Sequence, residues 1–365
     1  MDKVGIGVVG CGVISGAYLK AASTFPILDI RGLADIKPQA ARARAEEFGL
    51  RAVSVDDLLS DPSIEIVLNL TIPKAHAQVT MRALDAGKHV HSEKPIGITA
   101  AEARPLVAKA KRKGLRLGCA PDTFLGGAHQ TCRKLIDEGK IGTPIAGTAF
   151  FMCPGHERWH PAPAFYYQPG AGPMLDMGPY YITALVNMLG PVARVSGATS
   201  SLRKERLITS EPLKGTRIAV EIATHVAGTL EFASGAIVSI VTSFDVPRHR
   251  HRWIEVYGSE GSLAVPDPNY FGSPIEFATA TEDWRQLPTE HIYADGNYRI
   301  IGVADMAHAI RKGRPHRASG ELAFHVLEVM QALQQSSNSG RHIKIKSQPS
   351  RPAMLPTNLV KGELD

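Results

Sequence analysis

The sequence predicts an α/β protein of two domains, in which a doubly wound parallel sheet is followed by an α/β domain built on a large, mostly antiparallel open sheet. Two observations predict this fold. Short apolar runs alternate with helical patterns up to about residue 122, and longer strand-like runs dominate beyond it. The chain has 365 residues, more than the roughly 250 to 300 at which a single core stops growing. We therefore expect one domain at residues 1–122 and a second domain, for substrate binding and oligomerisation, at residues 123–365.

Five apolar runs of the first domain have the length and composition of buried strands. Helical patterns follow most of them, among them "HAQVTMRALDAG" and "AAEARPLVAKAKRKG", the second opened by a capping box of Thr99 and Glu102. This alternation predicts a parallel sheet with helices on both faces and right-handed crossovers. The five runs are "KVGIGVVG", "LDIRGLA", "IEIVLNLT", "GKHVHSE" and "LRLGCA".

The second domain contains longer runs rich in β-branched residues, separated by turn glycines. They are followed by two helical patterns, "IGVADMAHAIRKG" and "SGELAFHVLEVMQALQQS", and by a proline-rich tail from about Gln348 that we expect to wrap the surface. The strand-like runs are "TPIAGTAFFMC", "RIAVEIATHVAGTLEFA", "GAIVSIVTSFDV" and "RWIEVYGSEGSLAV".

Composition excludes several classes of protein. The hydrophobic fraction is 44% and the charged fraction 21%, and no apolar run approaches the ~20 residues that span a bilayer. The net charge of +6 is spread along the chain, so neither nucleic acid nor a membrane is predicted as a partner. A secretory leader is not expected, and the few cysteines are interpreted as reduced, which favours the cytoplasm. They are Cys11, Cys119, Cys132 and Cys153.

The turn after the first strand, "GCGVISG", has the composition of a phosphate-binding loop. Glycines there permit a tight turn and let the N–H groups at a helix N-terminus approach a pyrophosphate, as in a Rossmann domain. The third glycine, Gly16, stands one position late, with Ser15 where it is expected, so a purely structural turn remains the alternative. The predicted cofactor-binding residues of this loop are Gly10, Gly12, Val13 and Ile14.

Asp35 ends the second strand about 20 residues further on, where a carboxylate hydrogen-bonds the adenosine ribose. A carboxylate would repel the additional phosphate of NADP, so the sequence predicts NAD, with NADP less favoured. Lys37 nearby weakens this preference, and a simple turn at Asp35 is the alternative.

The segments "LTIPKAH" and "HVHSEKPIGIT" follow the next two strands. Ligands bind at the carboxyl ends of parallel strands, so polar residues in these segments are candidates to line the cofactor cleft. A Lys-Pro step at a strand end is most often a surface turn, but its place at this edge favours a functional role for Lys94. The candidates are Thr71, Pro73, His76, Glu93 and Lys94.

Together the glycine loop, the T-x-P-x-x-H segment and "EKP" resemble the Gfo/Idh/MocA family of oxidoreductases. The likeness covers nearly the whole chain and includes "GAGPMLDMGPYYITAL" and "VYGSEGSLAV". It implies an NAD(P)-dependent enzyme acting on sugars, cyclitols or related polyols, which forms a homodimer or homotetramer through its C-terminal sheet. Lys94 and Asp176 match catalytic positions of the family, and Tyr180 stands where the family's D-x-G-x-H segment has histidine. The predicted catalytic residues are therefore Lys94, Asp176 and Tyr180.

The segment "HERWH", residues 156–160, spells the H-E-x-x-H motif of zinc metalloproteases. Pro161 disfavours the helical conformation at His160, and Pro154 and Gly155 precede the motif, so a continuous helix is not expected. The resemblance places a substrate-facing loop here. We therefore predict no metal site and expect the substrate to be bound by His156, Trp159, His160, Asp176 and Tyr180.

The substitution at Tyr180 affects the expected acid–base chemistry. A free lysine has a pKa near 10.4 and tyrosine one near 10, so we expect the closed cleft and the oxidised cofactor to lower the pKa of Lys94, which would titrate as a pair with Tyr180. Asp176 would then orient the substrate or hold the lysine. Two alternatives stay open: a glycosidase that oxidises its sugar transiently with a tightly held NAD, and a sugar-sensing protein that has lost catalysis.

Overall fold

The computed structural model describes residues 2–365, and the first third of them forms a five-stranded sheet covered by helices. Thr99 begins the last of these helices by accepting a hydrogen bond from the backbone of Glu102. The elements are β1 (Val4–Val9), α1 (Val13–Ala22), β2 (Leu28–Ala34), α2 (Pro38–Phe48), α3 (Val55–Ser60), β3 (Ile66–Asn69), α4 (Pro73–Asp85), β4 (His89–Ser92), α5 (Ala100–Lys113) and β5 (Leu117–Cys119).

The order of this sheet is β2-β1-β3-β4-β5, and its strands are parallel throughout, as predicted. After β1 the chain goes to β2 on one side, and β3 then lies on the other side of β1. A crevice therefore opens beyond the carboxyl ends of β1 and β3, which is the position where sheets of this kind bind ligands.

The remainder of the chain builds a nine-stranded sheet of order β15-β14-β13-β12-β6-β11-β10-β7-β16. Neighbouring strands are antiparallel except β6 and β11, which confirms the predicted mostly antiparallel sheet. The elements are α6 (Gly127–Asp137), β6 (Pro144–Met152), α7 (Pro173–Leu189), β7 (Val192–Ser200), β8 (Glu205–Leu207), β9 (Arg217–Ala219), β10 (His225–Phe232), β11 (Ile237–Ser243), β12 (Ile254–Gly258), β13 (Gly261–Val265), β14 (Ile275–Thr279), β15 (Arg285–Leu287), α8 (Ile301–Lys312), α9 (Gly320–Ser339) and β16 (Ile343–Lys344).

The two faces of the large sheet differ. Helices α6, α7 and α9 pack on one face, where Ala149 of β6 and Ile240 of β11 are fully buried. Phe150 and Val241, the next residue of each strand, point the other way, pair with each other and remain half-buried. The large sheet therefore presents an open face that no helix of residues 2–365 covers.

The two parts of the molecule share one hydrophobic core. The N–H of Cys119 at the end of β5 donates to the carbonyl of Ala318 before α9. The buried carboxylate of Asp122 accepts the N–H groups of Ile300 and Gly302 at the start of α8, and burial raises the pKa of this carboxyl to about 6. Helix α8 is thereby fixed directly after β5, beside the crevice.

The C-terminal tail follows the surface as expected, but it also contributes to the core. Leu355 and Leu364 are buried, and the N–H of Gly362 donates to the hydroxyl of Tyr293. Among residues 2–365, no helix combines the length and the apolar character that crossing a membrane requires.

Candidate active site

At one position of the glycine loop between β1 and α1, the backbone has a conformation that only glycine adopts readily. Gly10 has φ +104°, and a Cβ there would lie 2.5 Å from the backbone of Leu70. A Cβ at Gly12 would meet nothing within 4 Å, so the crevice is open above it. Ser15, which replaces the expected third glycine, is buried and donates to the carbonyl of Gly12 at 2.7 Å. This hydrogen bond stabilises the backbone of the loop at Gly12.

Asp35 lies beside this loop, as the sequence predicts. One carboxylate oxygen accepts the N–H of Cys11 at 2.8 Å, and the other accepts the N–H of Lys37 at 2.8 Å. The side chain is half-buried, so it keeps a solvent-facing side next to the loop. The carboxylate therefore both holds the loop and offers acceptors at the rim of the crevice.

Three large apolar side chains are exposed just beyond the ends of adjacent strands. Val13 is 95% exposed after β1, Ile36 92% after β2 and Ile72 68% after β3. Ile14 differs, because it is half-buried and packs against the core. Such exposure at one edge of a sheet marks a ligand-binding surface. Val13 was predicted to belong to it, and Ile36 and Ile72 were missed because exposure is not visible in a sequence.

The side chain of His76 lies between the segments that follow β3 and β4. Its Nδ1 lies 2.7 Å from the carbonyl oxygen of Pro95 and its Nε2 lies 2.8 Å from that of Thr71. The ring is only 1% exposed and burial lowers its pKa. A neutral imidazole has one ring hydrogen, so His76 donates to only one of these two carbonyls. The structure places its ring behind the cleft wall and not on the cleft surface. Pro73 is half-buried and opens α4.

Glu93 is held at the end of β4 by a residue that the sequence did not single out. Its Oε1 accepts the hydroxyl of Tyr18 at 2.7 Å, and its Oε2 accepts the N–H of Lys94 at 2.9 Å. Tyr18 is fully buried on α1. Helix α1, which begins at the glycine loop, therefore also fixes the backbone that carries Lys94.

The ammonium of Lys94 pairs with Asp176 in the first turn of α7. Lys94 Nζ donates to Asp176 Oδ1 at 2.9 Å and to the main-chain oxygen of Asp176 at 2.6 Å. Burial by itself would lower the pKa of Lys94, but the charge of Asp176 outweighs burial and raises it above its ordinary value. The predicted lowering by the closed cleft is thus outweighed by a carboxylate within hydrogen-bonding distance, while the lowering by the oxidised cofactor stays a prediction. The same lysine, against the effect of burial, lowers the pKa of Asp176.

Tyr180 lies one turn further along α7, with its ring centroid 5.2 Å from Lys94 Nζ. Burial raises the pKa of Tyr180, and the charges of Lys94 and Arg299 oppose this only in part. Lys94 and Tyr180 therefore influence each other's ionisation, while the coupled titration itself stays a prediction. Tyr181, by contrast, is fully buried in the core. Arg299, just before α8, is a neighbour of the phenol that the sequence did not indicate.

The segment of residues 156–160 does not form the helix that a zinc protease needs. His156–Arg158 is a single 3₁₀ turn, and Glu157 is buried, with its carboxylate bound to Arg206 at 2.8 Å and to the hydroxyl of Tyr167. His160 Nδ1 accepts the N–H of Ala162. Within residues 2–365, no group of three or more metal-ligating side chains is assembled.

His156 and its neighbours instead complete the cluster around Asp176. His156 Nε2 lies 3.2 Å from Asp176 Oδ2, and Trp159 Nε1 donates to His156 Nδ1 at 3.2 Å. The ring of Tyr166, another residue that was not predicted, lies 4.2 Å from the imidazole and 5.4 Å from that of His160. The structure therefore brings Lys94, Asp176, Tyr180, His156, Trp159 and His160 into one cluster beyond the end of β4.

The fold and this cluster define a two-domain enzyme with a nucleotide-binding crevice next to a group of polar and aromatic side chains. Comparison with known proteins gives the family. The model for the oxidoreductase family with an NAD-binding Rossmann fold matches residues 4–120, and the model for the GFO/IDH/MocA C-terminal domain matches residues 129–264. The chain belongs to the Gfo/Idh/MocA family of oxidoreductases.

Three relatives illustrate the family. A dTDP-3,4-didehydro-2,6-dideoxy-alpha-D-glucose 3-reductase from Streptomyces violaceoruber is 33% identical over 91% of this chain and 95% of its own length. A 1,5-anhydro-D-fructose reductase from Ensifer adhaerens is 30% identical over 61% of this chain and 63% of its own length. A levoglucosan dehydrogenase from Pseudarthrobacter phenanthrenivorans is 24% identical over 82% and 84%.

Solved structures agree in fold. Levoglucosan dehydrogenase in complex with NADH and L-sorbose has a TM-score of 0.84 at 22% identity, covering 95% of this chain and all of that chain. The predicted fold class, the predicted NAD(P)-dependent oxidoreductase of the sugar and polyol type, and NAD as its cofactor are confirmed by family and fold together.

Proposed function

We propose that this protein interconverts a hydroxyl and a carbonyl group of a sugar, cyclitol or related polyol with NAD, and that Lys94 is the group that exchanges the proton. The observation that carries the proposal is the pairing of Lys94 with Asp176 beyond the carboxyl end of β4. It supports the proposal because a proton-bearing group is held in one orientation at the edge of the sheet where parallel sheets bind ligands.

The residues around the crevice fit a dinucleotide. Gly10 and Gly12 would let the backbone at the start of α1 approach the pyrophosphate, Asp35 would accept hydrogen bonds from the ribose, and the exposed side chains of Val13 and Ile36 would flank the ligand. We propose further cofactor contacts for Ile14, Thr71, Pro73, Glu93 and Lys94, and an indirect role for His76. When bound, the cofactor supplies the hydride chemistry.

The side chains of this protein supply orientation and proton transfer. Because Asp176 keeps Lys94 protonated, Lys94 can donate a proton to a carbonyl oxygen in the reductive direction and must first lose one to accept the hydroxyl proton in the oxidative direction. Tyr180 and His160 would bind hydroxyl groups of the substrate. His156 and Trp159 would complete the substrate-binding site, His156 through its contact with Asp176 and Trp159 through its exposed ring. Tyr166 adds an aromatic face beside His156.

The experiment that tests this function is a substrate panel of hexoses, inositols and keto-sugars with NAD and NADP, followed by nicotinamide absorbance. Net NAD reduction by a polyol, or NADH oxidation by a keto-sugar, supports the proposal when Lys94→Ala abolishes the signal. Release of a leaving group from a glycoside without net NADH would instead indicate the glycosidase. Absence of turnover across the panel would favour the non-catalytic sensor.

We further propose that the protein acts in the cytoplasm as a homodimer or homotetramer through the open face of the large sheet. The half-buried Phe150 and Val241 on that face support an oligomer, and the buried thiols of Cys11, Cys119 and Cys132 suit a reducing compartment. Light scattering of the wild type and of Val241→Glu tests the interface. A wild-type monomer, or an unchanged mass in the variant, would contradict it.

A further inference from the structure

Trp159, His156, Asp176 and Lys94 form one continuous chain of hydrogen bonds. Trp159 Nε1 lies 3.2 Å from His156 Nδ1, His156 Nε2 lies 3.2 Å from Asp176 Oδ2, and Asp176 Oδ1 lies 2.9 Å from Lys94 Nζ. The first two residues come from the segment after β6, the third from α7 and the fourth from the segment directly after β4. The chain therefore links the exposed indole, 61% accessible, to the lysine of the reaction.

The indole determines which nitrogen of His156 carries the hydrogen. An indole N–H can only donate a hydrogen bond, so the Nδ1 that faces it must be an acceptor and carries no hydrogen. A neutral imidazole has one ring hydrogen, which must then lie on Nε2 and point to Asp176. The hydrogen-bond pattern thus assigns the Nε2–H tautomer without reference to the substrate.

The other groups around the imidazole do not compete for these two nitrogens. The rings of Tyr166 and Phe244 pack against it at centroid distances of 4.2 and 4.5 Å, and the hydroxyl of Tyr167 accepts the backbone N–H of His156. The charge of the adjacent Glu157 is paired with Arg206, and the ring of His160 packs against those of Trp159 and Tyr166, at 5.3 and 5.4 Å between centroids. The charge that meets the imidazole directly is that of Asp176.

We propose that Trp159 and His156 are positioning residues, in which the indole selects the Nε2–H tautomer and this hydrogen holds Asp176 Oδ2, leaving Oδ1 to Lys94. The carboxylate then cannot turn away from the ammonium. Helix α7 contributes the phenol of Tyr180 beside Lys94. The imidazole of this site, that of His156, comes from the segment after β6. The effect on catalysis rests on the proposed function, whereas the tautomer does not.

The tautomer is tested by ring-nitrogen NMR of the full-length protein, uniformly labelled with ¹⁵N. The His156 signals are identified by their loss in His156→Gln. The expected result is a hydrogen on Nε2 and a bare Nδ1 at neutral pH, and in Trp159→Phe, where the indole donor is lost, a ring that also populates the tautomer with its hydrogen on Nδ1. A wild-type ring with its hydrogen on Nδ1 or on both nitrogens would overturn the proposal, as would a Trp159→Phe ring identical to that of the wild type.

The positioning role is tested by kinetics with a matched pair of variants. His156→Gln keeps a donor for Asp176, so its kcat should lie much nearer to that of the wild type than the kcat of His156→Ala, which should lose about 100-fold in kcat with KM changed much less. Trp159→Phe should lower kcat, and the same substitution should have little further effect when His156→Gln is already present, because the indole acts through His156. Equal losses of kcat in His156→Gln and His156→Ala would overturn the positioning role. A wild type without nicotinamide-linked turnover would refute the proposed function and leave the NMR result decisive for the tautomer.

Discussion

Lys94 Nζ lies 2.9 Å from Asp176 Oδ1 and 2.6 Å from the main-chain oxygen of the same residue, although 82 residues separate them in the sequence. This contact joins the end of the parallel sheet to the first turn of α7. Each partner favours the charged form of the other, so the pair resists both protonation of Asp176 and deprotonation of Lys94. The protonation state of Lys94 therefore depends on Asp176.

Replacing Asp176 by asparagine should change the pH dependence of the oxidative reaction. In the wild type the raised pKa keeps Lys94 protonated through neutrality, so kcat in the oxidative direction should rise as pH increases. Asp176→Asn removes the negative charge that opposes the effect of burial on Lys94. The pKa of Lys94 should therefore fall, and the rise in kcat should move to lower pH. The measurement is log kcat against pH for both proteins, and superimposable profiles would contradict the assigned role of Asp176.

Tyr180→Phe should reduce kcat less than any change at Lys94. The phenol lies beside the ammonium without a hydrogen bond to it, with the ring centroid 5.2 Å away, so we expect it to orient the substrate and not to transfer the proton. We expect a loss of about tenfold to a hundredfold in kcat, with NADH affinity retained. A variant with the rate and the pH profile of the wild type would remove Tyr180 from the mechanism.

Asp35→Ser should reduce the preference for NAD over NADP. The carboxylate would accept hydrogen bonds from the ribose and would repel a 2′-phosphate, whereas the uncharged hydroxyl of serine would not repel this phosphate. Because Asp35 also holds the N–H groups of Cys11 and Lys37, the affinity for both cofactors should fall somewhat. The ratio of kcat/KM for the two cofactors checks this, and a wild type more efficient with NADP would show that the charge argument is wrong.

Arg206 is expected to stabilise the segment of residues 156–160 through a cluster of buried ion pairs. Its side chain is 1% exposed and pairs with Glu157 and Asp245, so Arg206→Met leaves two buried carboxylates uncompensated and should lower the free energy of unfolding by about 3–5 kcal/mol. Arg217→Met is the matched control, because its ion pair with Glu205 is exposed and should contribute at most about 1 kcal/mol. Denaturant titrations that give both variants equal stability would contradict the assignment.

The sequence predicted the elements whose signals are local. The parallel strands, the glycine loop with Asp35 and the position of Lys94 at the end of β4 follow from apolar periodicity and from where parallel sheets bind ligands. The run at residues 217–233 was less clear, since its β-rich composition hid a break between β9 and β10. Composition gives β propensity but not where a strand ends.

Contacts between distant segments could not be predicted in this way. Tyr18 reaches Glu93 across 75 residues, and Arg299 approaches Tyr180 from the segment before α8. His76 was predicted at the cofactor because its segment follows β3, but its ring is buried and both ring nitrogens face backbone carbonyls. The effect of Asp176 on the pKa of Lys94 was not predicted either, because this carboxylate is supplied by α7.

The central claim, that Lys94 exchanges the proton of the reaction, is tested most directly by comparing kcat and NADH affinity in Lys94→Ala and in the wild type. We expect kcat to fall by about 10²–10⁴-fold, while the dissociation constant of NADH, measured by fluorescence titration, changes far less than kcat. A Lys94→Ala enzyme that turns over at the wild-type rate would contradict the assignment of this lysine.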